Sequence, residues 1–505
     1  MKSEKLTMAM MTKPNTLAIA LFFLGIASLR AQDVPVDLAE AESGQETSPE
    51  FVQPSLVVPV AEEGIDDGDD FSVPESTDEE ALVREFELFK RLMQERVFDE
   101  ADTVAKRVVE LAIRTHGPQS NELAKALTNL AIVQHRTEQY DASQQNFQAA
   151  IEIIEENEDR LNAQLVNPLK GLGASQLEVG RPDLASATFQ RAVHVTHVNE
   201  GPHNLDQVEL LESIAETKLR MGDLEAAKQT QDVIYALNIR QYALDTMELV
   251  PALMRRATWQ HRAGFVYDER ATYRRIIRII EEKDGKNSLR LVEPLIMLGK
   301  SFFYMDTSGS QSMAETRMST GEIYFRRAVR IAAAGPDPDW QIVAQATLAL
   351  GDYYMYDDNS QRGRQAYRTA WDLLSEDESR IDVRRKQLEN IVPLRQQKLR
   401  QFVNSADAES KAQSDDPLLQ GKITMTYEIS TRGQATKLKM IEAEPPEFTN
   451  MQRHVHREMR QRLFRPRFED AEPVSTPDQS LVHVFYYRQS DLDSIRAEAT
   501  ATENK

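Results

Sequence analysis

The residues able to carry chemistry are few and badly spaced for it. Cysteine is absent from all 505 positions, which removes disulfides, thiolate metal sites and cysteine nucleophiles together. His454 and His456 stand two apart, and residues two apart on a helix point roughly 200° from each other, so the pair cannot grip one ion. With Arg453, Arg457, Arg460 and Arg462 they read as the solvated basic face of an amphipathic helix, open to an acidic partner. His194, His197 and His203 gather around Gly201-Pro202. Three imidazoles can hold zinc. No Asp or Glu joins them at ligand-like spacing, and histidine at a helix end also satisfies free carbonyls. Asp66-Asp67-Gly68-Asp69-Asp70 lacks the ligand spacing of a calcium loop. There is no nucleophile elbow, phosphate loop, zincin helix or dinucleotide fingerprint. The expectation is therefore no catalytic residue, no cofactor and no metal, and a protein that binds rather than catalyses.

Charge narrows the partner. Sixty basic residues face 81 acidic ones, a formal net charge of −21, whereas nucleic-acid binding needs a basic face that displaces phosphate counterions. Nucleic acid is thus excluded as an expected partner. Sixteen of the acids fall in residues 33–80, which hold no Lys or Arg. The same stretch contains Pro35, Pro49, Pro54, Pro59 and Pro74 and cannot bury enough apolar surface to offset the entropy of ordering. Residues 32–80 are expected to be a disordered acidic spacer. Before it, Lys2, Lys5 and Lys13 precede the apolar run Leu17–Leu29, which ends in Leu29-Arg30-Ala31. That pattern reads as a signal peptide over residues 1–31, cleaved before Gln32. The run is shorter than the ~20 residues of a spanning helix. Export to the periplasm is the expectation; retention of the run would instead anchor the chain in the inner membrane.

From residue 81 the pattern becomes helical and repeats. Ala131, Gly173, Ala215, Ala257 and Gly299 follow one another at intervals of 42 residues, as do Val166, Val208, Val250 and Val292. Phe147 and Phe189 keep the same register, with Tyr273 two periods further on, and Ala150, Ala192, Ile234 and Ile276 complete it. So many coincidences at one period mean an internal repeat. The interval from Gly299 to Gly351 stretches to 52, then Phe325 to Tyr367 returns to 42, so about ten residues are inserted, within Asp306–Thr320. Seven helix pairs over residues 81–400 are predicted. A small residue on the first helix of a pair lets the second approach, and an aromatic on the second fills the space beside the next pair. The unit Asn129–Ile153, NLAIVQHRTEQYDASQQNFQAAIEI, resembles a tetratricopeptide (TPR) motif, and the 42-residue period resembles its kinesin-light-chain type. The resemblance implies an α-solenoid that binds proteins.

After a polar linker at 401–417 the period changes to two. Ile423, Met425, Tyr427 and Ile429 alternate with polar residues, which predicts a half-buried strand. Arg432-Gly433 marks a hairpin turn, and a second strand follows over 435–443. Met451, Val455, Met459 and Leu463 predict a helix, and Leu481–Tyr487 a last strand with Val482, Val484 and Tyr486 on one side. Gly433 in the first turn, the helix closing in Phe464 and Pro466, and Glu472-Pro473-Val474 before an aromatic strand resemble the TonB C-terminal domain. That resemblance implies a small α+β (ββαβ) domain at 418–489, in the periplasm of a Gram-negative bacterium, adding a strand to a partner at the edge Leu481–Tyr487. Residues 490–505 are expected to be a disordered tail.

The whole chain reads as mainly α, a TPR solenoid followed by a TonB-like domain. By register Lys170, Glu212, Glu216, Thr258, His261 and Lys300 should line the groove of the first helices, where mixed charge suits a peptide or a partner helix. Together with Val482, Val484 and Tyr486 they are the expected partner-binding residues. The leading expectation is a non-enzymatic periplasmic scaffold for protein partners, an outer-membrane transporter or envelope complex among them. The alternatives are an accessory or divergent energy transducer of the TonB type and a cell-envelope structural protein with no transport role.

Overall fold

A computed structural model describes residues 78–303, 321–395, 399, 403, 416 and 418–503. The expected signal peptide, the expected insertion Asp306–Thr320 and the expected acidic spacer up to residue 77 lie outside the described residues. The described chain begins with seven antiparallel helix pairs. The first four are α1 (Asp78–Gln94) with α2 (Phe98–His116), α3 (Asn121–Arg136) with α4 (Tyr140–Asn157), α5 (Val166–Glu178) with α6 (Pro182–Glu200), and α7 (Val208–Arg220) with α8 (Leu224–Tyr242). The last three are α9 (Val250–Arg262) with α10 (Val266–Asp284), α11 (Val292–Lys300) with α12 (Glu322–Ala332), and α13 (Trp340–Tyr356) with α14 (Ser360–Ser375). The first helix begins three residues earlier than its apolar pattern suggests. Asp78, Glu79 and Glu80 belong to its first turn, where carboxylates meet the positive end of the helix dipole.

The repeat register has a direct packing cause. A Cβ placed on Gly173 would lie 2.7 Å from the ring of Phe189 on the other helix of the same pair, and one on Gly351 would lie 2.5 Å from the ring of Tyr367. Each ring therefore occupies the volume that a larger residue on the facing helix would need. Phe147 packs in the same manner against Gly171 of the following pair. Phe147, Phe189, Tyr273, Phe325 and Tyr367 are all essentially inaccessible to solvent, forming a buried column of one ring per unit where the register supplies one. Turns close the pairs predictably: Gly117, Gly201 and Gly285 follow helices with φ of +90°, +85° and +90°.

The array ends earlier than the sequence suggests. Its last long helix stops at Ser375, and the chain then forms a short helical stretch at Ile381–Glu389 and strand β1 (Val392–Arg395). β1 does not belong to an eighth pair. It runs antiparallel to β4 (Leu463–Arg465), far along in the C-terminal module. That module consists of β2 (Leu418–Ile429), β3 (Ala435–Glu444), α15 (Thr449–Gln461), β4, β5 (Arg467–Glu469), β6 (Glu472–Val474) and β7 (Thr476–Arg488). Its main sheet has the order β3-β2-β7, all antiparallel. Met451, Val455 and Met459 of α15 are buried with Ile423, Met425 and Phe485 of the sheet. Leu463, expected on that helix, instead opens β4, because Arg462 leaves helical geometry at ψ 140°.

One further expectation is corrected. The tail is not disordered over its described length: α16 spans Gln489–Glu503, and Leu492 and Ile495 pack into the module's core. The Asp416 carboxylate accepts from the N–H groups of Gln489 and Ser490 at the start of α16, and bonding to the Ser490 side chain, then to these N–H groups, holds it below the usual carboxylate range. The polar linker is likewise held at the two positions described, since Val403 packs on the module and Asp416 caps its last helix.

Candidate functional site

The first-helix face carries a ladder of charges that runs from unit to unit. Lys170 on α5 meets Glu209 on α7 at 2.6 Å. Glu178 on α5 meets Arg220 on α7 at 3.0 Å; Arg220 also contacts Glu216 on its own helix at 3.3 Å. Glu216 in turn receives Arg262 from α9 at 2.6 Å, and Glu212 receives Arg255 from α9 at 3.2 Å. Burial raises the Glu212 carboxyl above its usual value, against the pull of Arg255. Three of the predicted groove residues, Lys170, Glu212 and Glu216, thus come together on one surface, each already paired across a unit boundary.

The other three take no part in these ion pairs, although Thr258 is exposed on the same face of α9, between Arg255 and Arg262. Thr258 donates its hydroxyl to the Met254 carbonyl one turn back on α9. His261 turns toward the second helix of its own pair, where its Nδ1 lies 3.2 Å from the buried carboxylate of Glu269. Lys300 is the last residue of α11, and its carbonyl accepts from Phe303 N–H as the chain leaves the helix. Periodicity gives a residue's position on the helix but not the partner its side chain selects. His197, from the cluster around Gly201, is bound to Gln207. Among the described residues no three His, Asp or Glu side chains are grouped to hold a metal.

On β7 the alternation separates two faces. His483, Phe485 and Tyr487 are buried against α15, while Val482 is 55% exposed and Val484 and Tyr486 are half-buried on the outer side. The Tyr486 carbonyl accepts from Val403 N–H at 2.9 Å. In an antiparallel strand a residue's N–H and C=O point to the same side. The backbone groups of Val482, Val484 and Tyr486 therefore share the edge away from β2.

The contact that sequence reasoning missed is the one joining module to array. Arg465, between Phe464 and Pro466, is buried and reaches Asp352 on α13 through two bonds, Nε to Oδ1 at 2.9 Å and a terminal nitrogen to Oδ2 at 2.8 Å. Its remaining nitrogen donates to the Gln387 carbonyl at 2.9 Å. Tyr367 donates to the same Asp352 carboxylate at 2.8 Å, and burial, then the charge of Asp352, push its phenol well above its ordinary value. Phe468 packs edge-on to Tyr367 and beside Trp371, and Arg368 forms an ion pair with Glu472. The hairpin β5–β6 thus covers α14 where an eighth pair would stack. A signal for this existed in the sequence. Asp352 is the lone charged residue in the helix Trp340–Tyr356, and a buried carboxylate needs a partner.

One family model matches part of the array. Residues 92–156 match the family model for the tetratricopeptide repeat. No curated protein matches the sequence. Among solved structures, the TPR-like repeats of a kinesin light chain from Podosopora anserina are similar at 12% identity, over 40% of this chain and 96% of that one, with a TM-score of 0.36. Aspartyl phosphate phosphatase F from Bacillus subtilis is similar at 13% identity, over 59% of this chain and 71% of that one, with a TM-score of 0.37. A TPR repeat-containing protein from Cytophaga hutchinsonii is similar at 11% identity, over 59% and 98%, with a TM-score of 0.34. What the chain shares with known families is thus a helical-repeat array whose second and third helices, with most of the fourth, fall within a tetratricopeptide match.

Proposed function

We propose that this chain is a periplasmic protein-interaction scaffold with two binding surfaces. The face of the first helices holds one polypeptide, and the outer edge of β7 pairs with a second by strand addition. The observation that carries the reading is the stacked array itself. Repeat proteins of this kind build extended surfaces from residues at matching positions in each unit, and here those positions carry both signs of charge. The resemblance of the module to the TonB C-terminal domain supports an outer-membrane transporter or envelope complex as the second partner. A photo-crosslinking residue at Thr258, and separately at Val482, tests both surfaces in cells. Distinct partners captured from the two positions support the scaffold; capture of the chain alone from both positions sinks it.

The apolar run Leu17–Leu29 supports a second reading, an accessory or divergent energy transducer. Transduction needs an anchor, so sequencing the mature N-terminus separates the two. A chain that begins at Gln32 removes the anchor and the transducer with it.

A further inference from the structure

The array and the module differ in how they treat positive charge. On the array, arginines on neighbouring units face carboxylates: Arg220 meets Glu178, Arg262 meets Glu216, Arg255 meets Glu212 and Arg327 meets Glu281. Helix α15 does not follow that pattern. Arg453, Arg457 and Arg460 lie at i, i+4 and i+7, so they form one stripe, and all three are exposed. His456 falls on the same stripe, next to Arg460 by helical spacing. Glu458 is the only acid on the helix, and it is buried, with Arg457 at 3.2 Å and His454 at 3.8 Å. Arg453 bonds only to Thr449 and Asn450, and no carboxylate among the described residues lies within ion-pair reach of Arg453 or Arg460. A surface hollow of about 280 Å³ opens beside the stripe, lined by Asn450, Arg453, His454 and Arg457. Guanidinium forks and an amide around a hollow are the donors that receive carboxylates.

We infer that this face of α15 is the docking surface for the chain's own acidic segment, residues 33–77. That segment carries 13 Asp or Glu and no Lys or Arg. It enters the folded chain at Asp78, at the opposite end of the array from the module. Seven pairs stacked at roughly 10 Å each span on the order of 70 Å. A chain of 45 residues (33 to 77) reaches up to about 150 Å when extended, and about 20 residues of it cover the span, so the part before roughly residue 58 can reach the helix. Because the link is covalent, the segment is present at the surface at an effective concentration that a free acidic ligand must exceed. The competing occupants fit less well. A membrane-surface helix needs an apolar face for the lipid, and the apolar side of α15 (Met451, Val455, Met459) is already buried against the sheet. The inference is separate from the two surfaces of the proposed scaffold, which do not include α15.

The full chain without native cysteine is suited to the test. A donor–acceptor dye pair at Ser55→Cys and Gln461→Cys reads the distance between segment and helix. The expected result is efficient energy transfer at low ionic strength, falling roughly twofold or more near 0.5 M salt, where screening extends only a few Å. The same fall is expected in two variants at low salt: Arg453→Glu/Arg457→Glu/Arg460→Glu, and Glu40→Gln/Glu42→Gln/Glu46→Gln/Glu50→Gln. The second leaves every described residue unchanged, so it reports on docking even where the arginine variant unfolds. Low transfer in the parent chain overturns the inference, as does transfer that neither variant alters. Binding of phosphatidylglycerol vesicles through the three arginines, with transfer indifferent to them, overturns it in favour of a lipid surface.

Discussion

The Arg465 guanidinium grips the Asp352 carboxylate at 2.8 and 2.9 Å across 113 residues of sequence, with both side chains buried. Charged groups of that kind survive burial only when paired and fully bonded. Here the pairing is supplemented by Tyr367 on one side and Gln387 on the other. The relationship makes the module the terminal cap of the array rather than a domain on a flexible tether, since β1 also leaves the array to pair with β4.

Breaking that pair from one side leaves an uncompensated buried charge. Asp352→Leu and Arg465→Met should each destabilise the last repeat and the module by about 3–5 kcal/mol. The double variant should cost much less than the sum, because the orphaned charge disappears. Urea unfolding of the four proteins tests this; single-variant losses below about 1 kcal/mol would show the pair to be dispensable.

The glycine–aromatic register predicts a second effect. Gly173→Val places two methyl groups where the Phe189 ring sits, and a Cβ alone already falls 2.7 Å from it. Overpacking of this kind costs about 1–3 kcal/mol. The compensating change Phe189→Leu should recover part of the loss in the double variant. Additive losses in thermal unfolding would mean that the ring does not occupy this space.

The charge ladder should matter more for recognition than for folding. Glu216 is partly exposed between Arg220 and Arg262, so Glu216→Gln should cost under about 1 kcal/mol of stability. It releases the Arg262 guanidinium on the binding face, while Glu178 still holds Arg220. The yield from the Thr258 crosslinker should change while the melting temperature barely moves. A large fall in melting temperature with unchanged capture would make the ladder purely structural.

Acid should weaken the array near its second and third pairs. His135 approaches Ser175 at 3.0 Å, and burial, then Arg136, hold its imidazole below the ordinary 6.5 despite Glu178. The unfolded chain therefore binds a proton more readily than the folded one. Stability from this group is present above pH 6.5 and is lost as pH falls from 6.5 toward the lower folded value, at most about 1.4 kcal/mol per unit of displacement. His135→Gln should flatten the pH dependence of unfolding in that window. An identical slope in parent and variant would assign the acid sensitivity elsewhere.

The array was open to reading from the spacing of residues alone because its cause is local and repeated. Gly173 and Gly351 are small since a ring must lie on them, and a constraint that recurs every unit leaves a period in the chain. The strands of the module were legible for a similar reason: Ile423 and Met425 alternate with polar neighbours because one face of the sheet is covered. Other features depend on residues distant in sequence. Whether His261 faces a groove or Glu269, and whether Lys170 is available or held by Glu209, is set by which side chain lies across a packed interface. Periodicity carries no record of that choice. Most of all, Phe464-Arg465-Pro466-Arg467-Phe468 reads as the end of a helix until Asp352 is brought against it. The buried charge on each side is unfavourable alone, and only the docked fold brings the two together so that each offsets the other's loss of water.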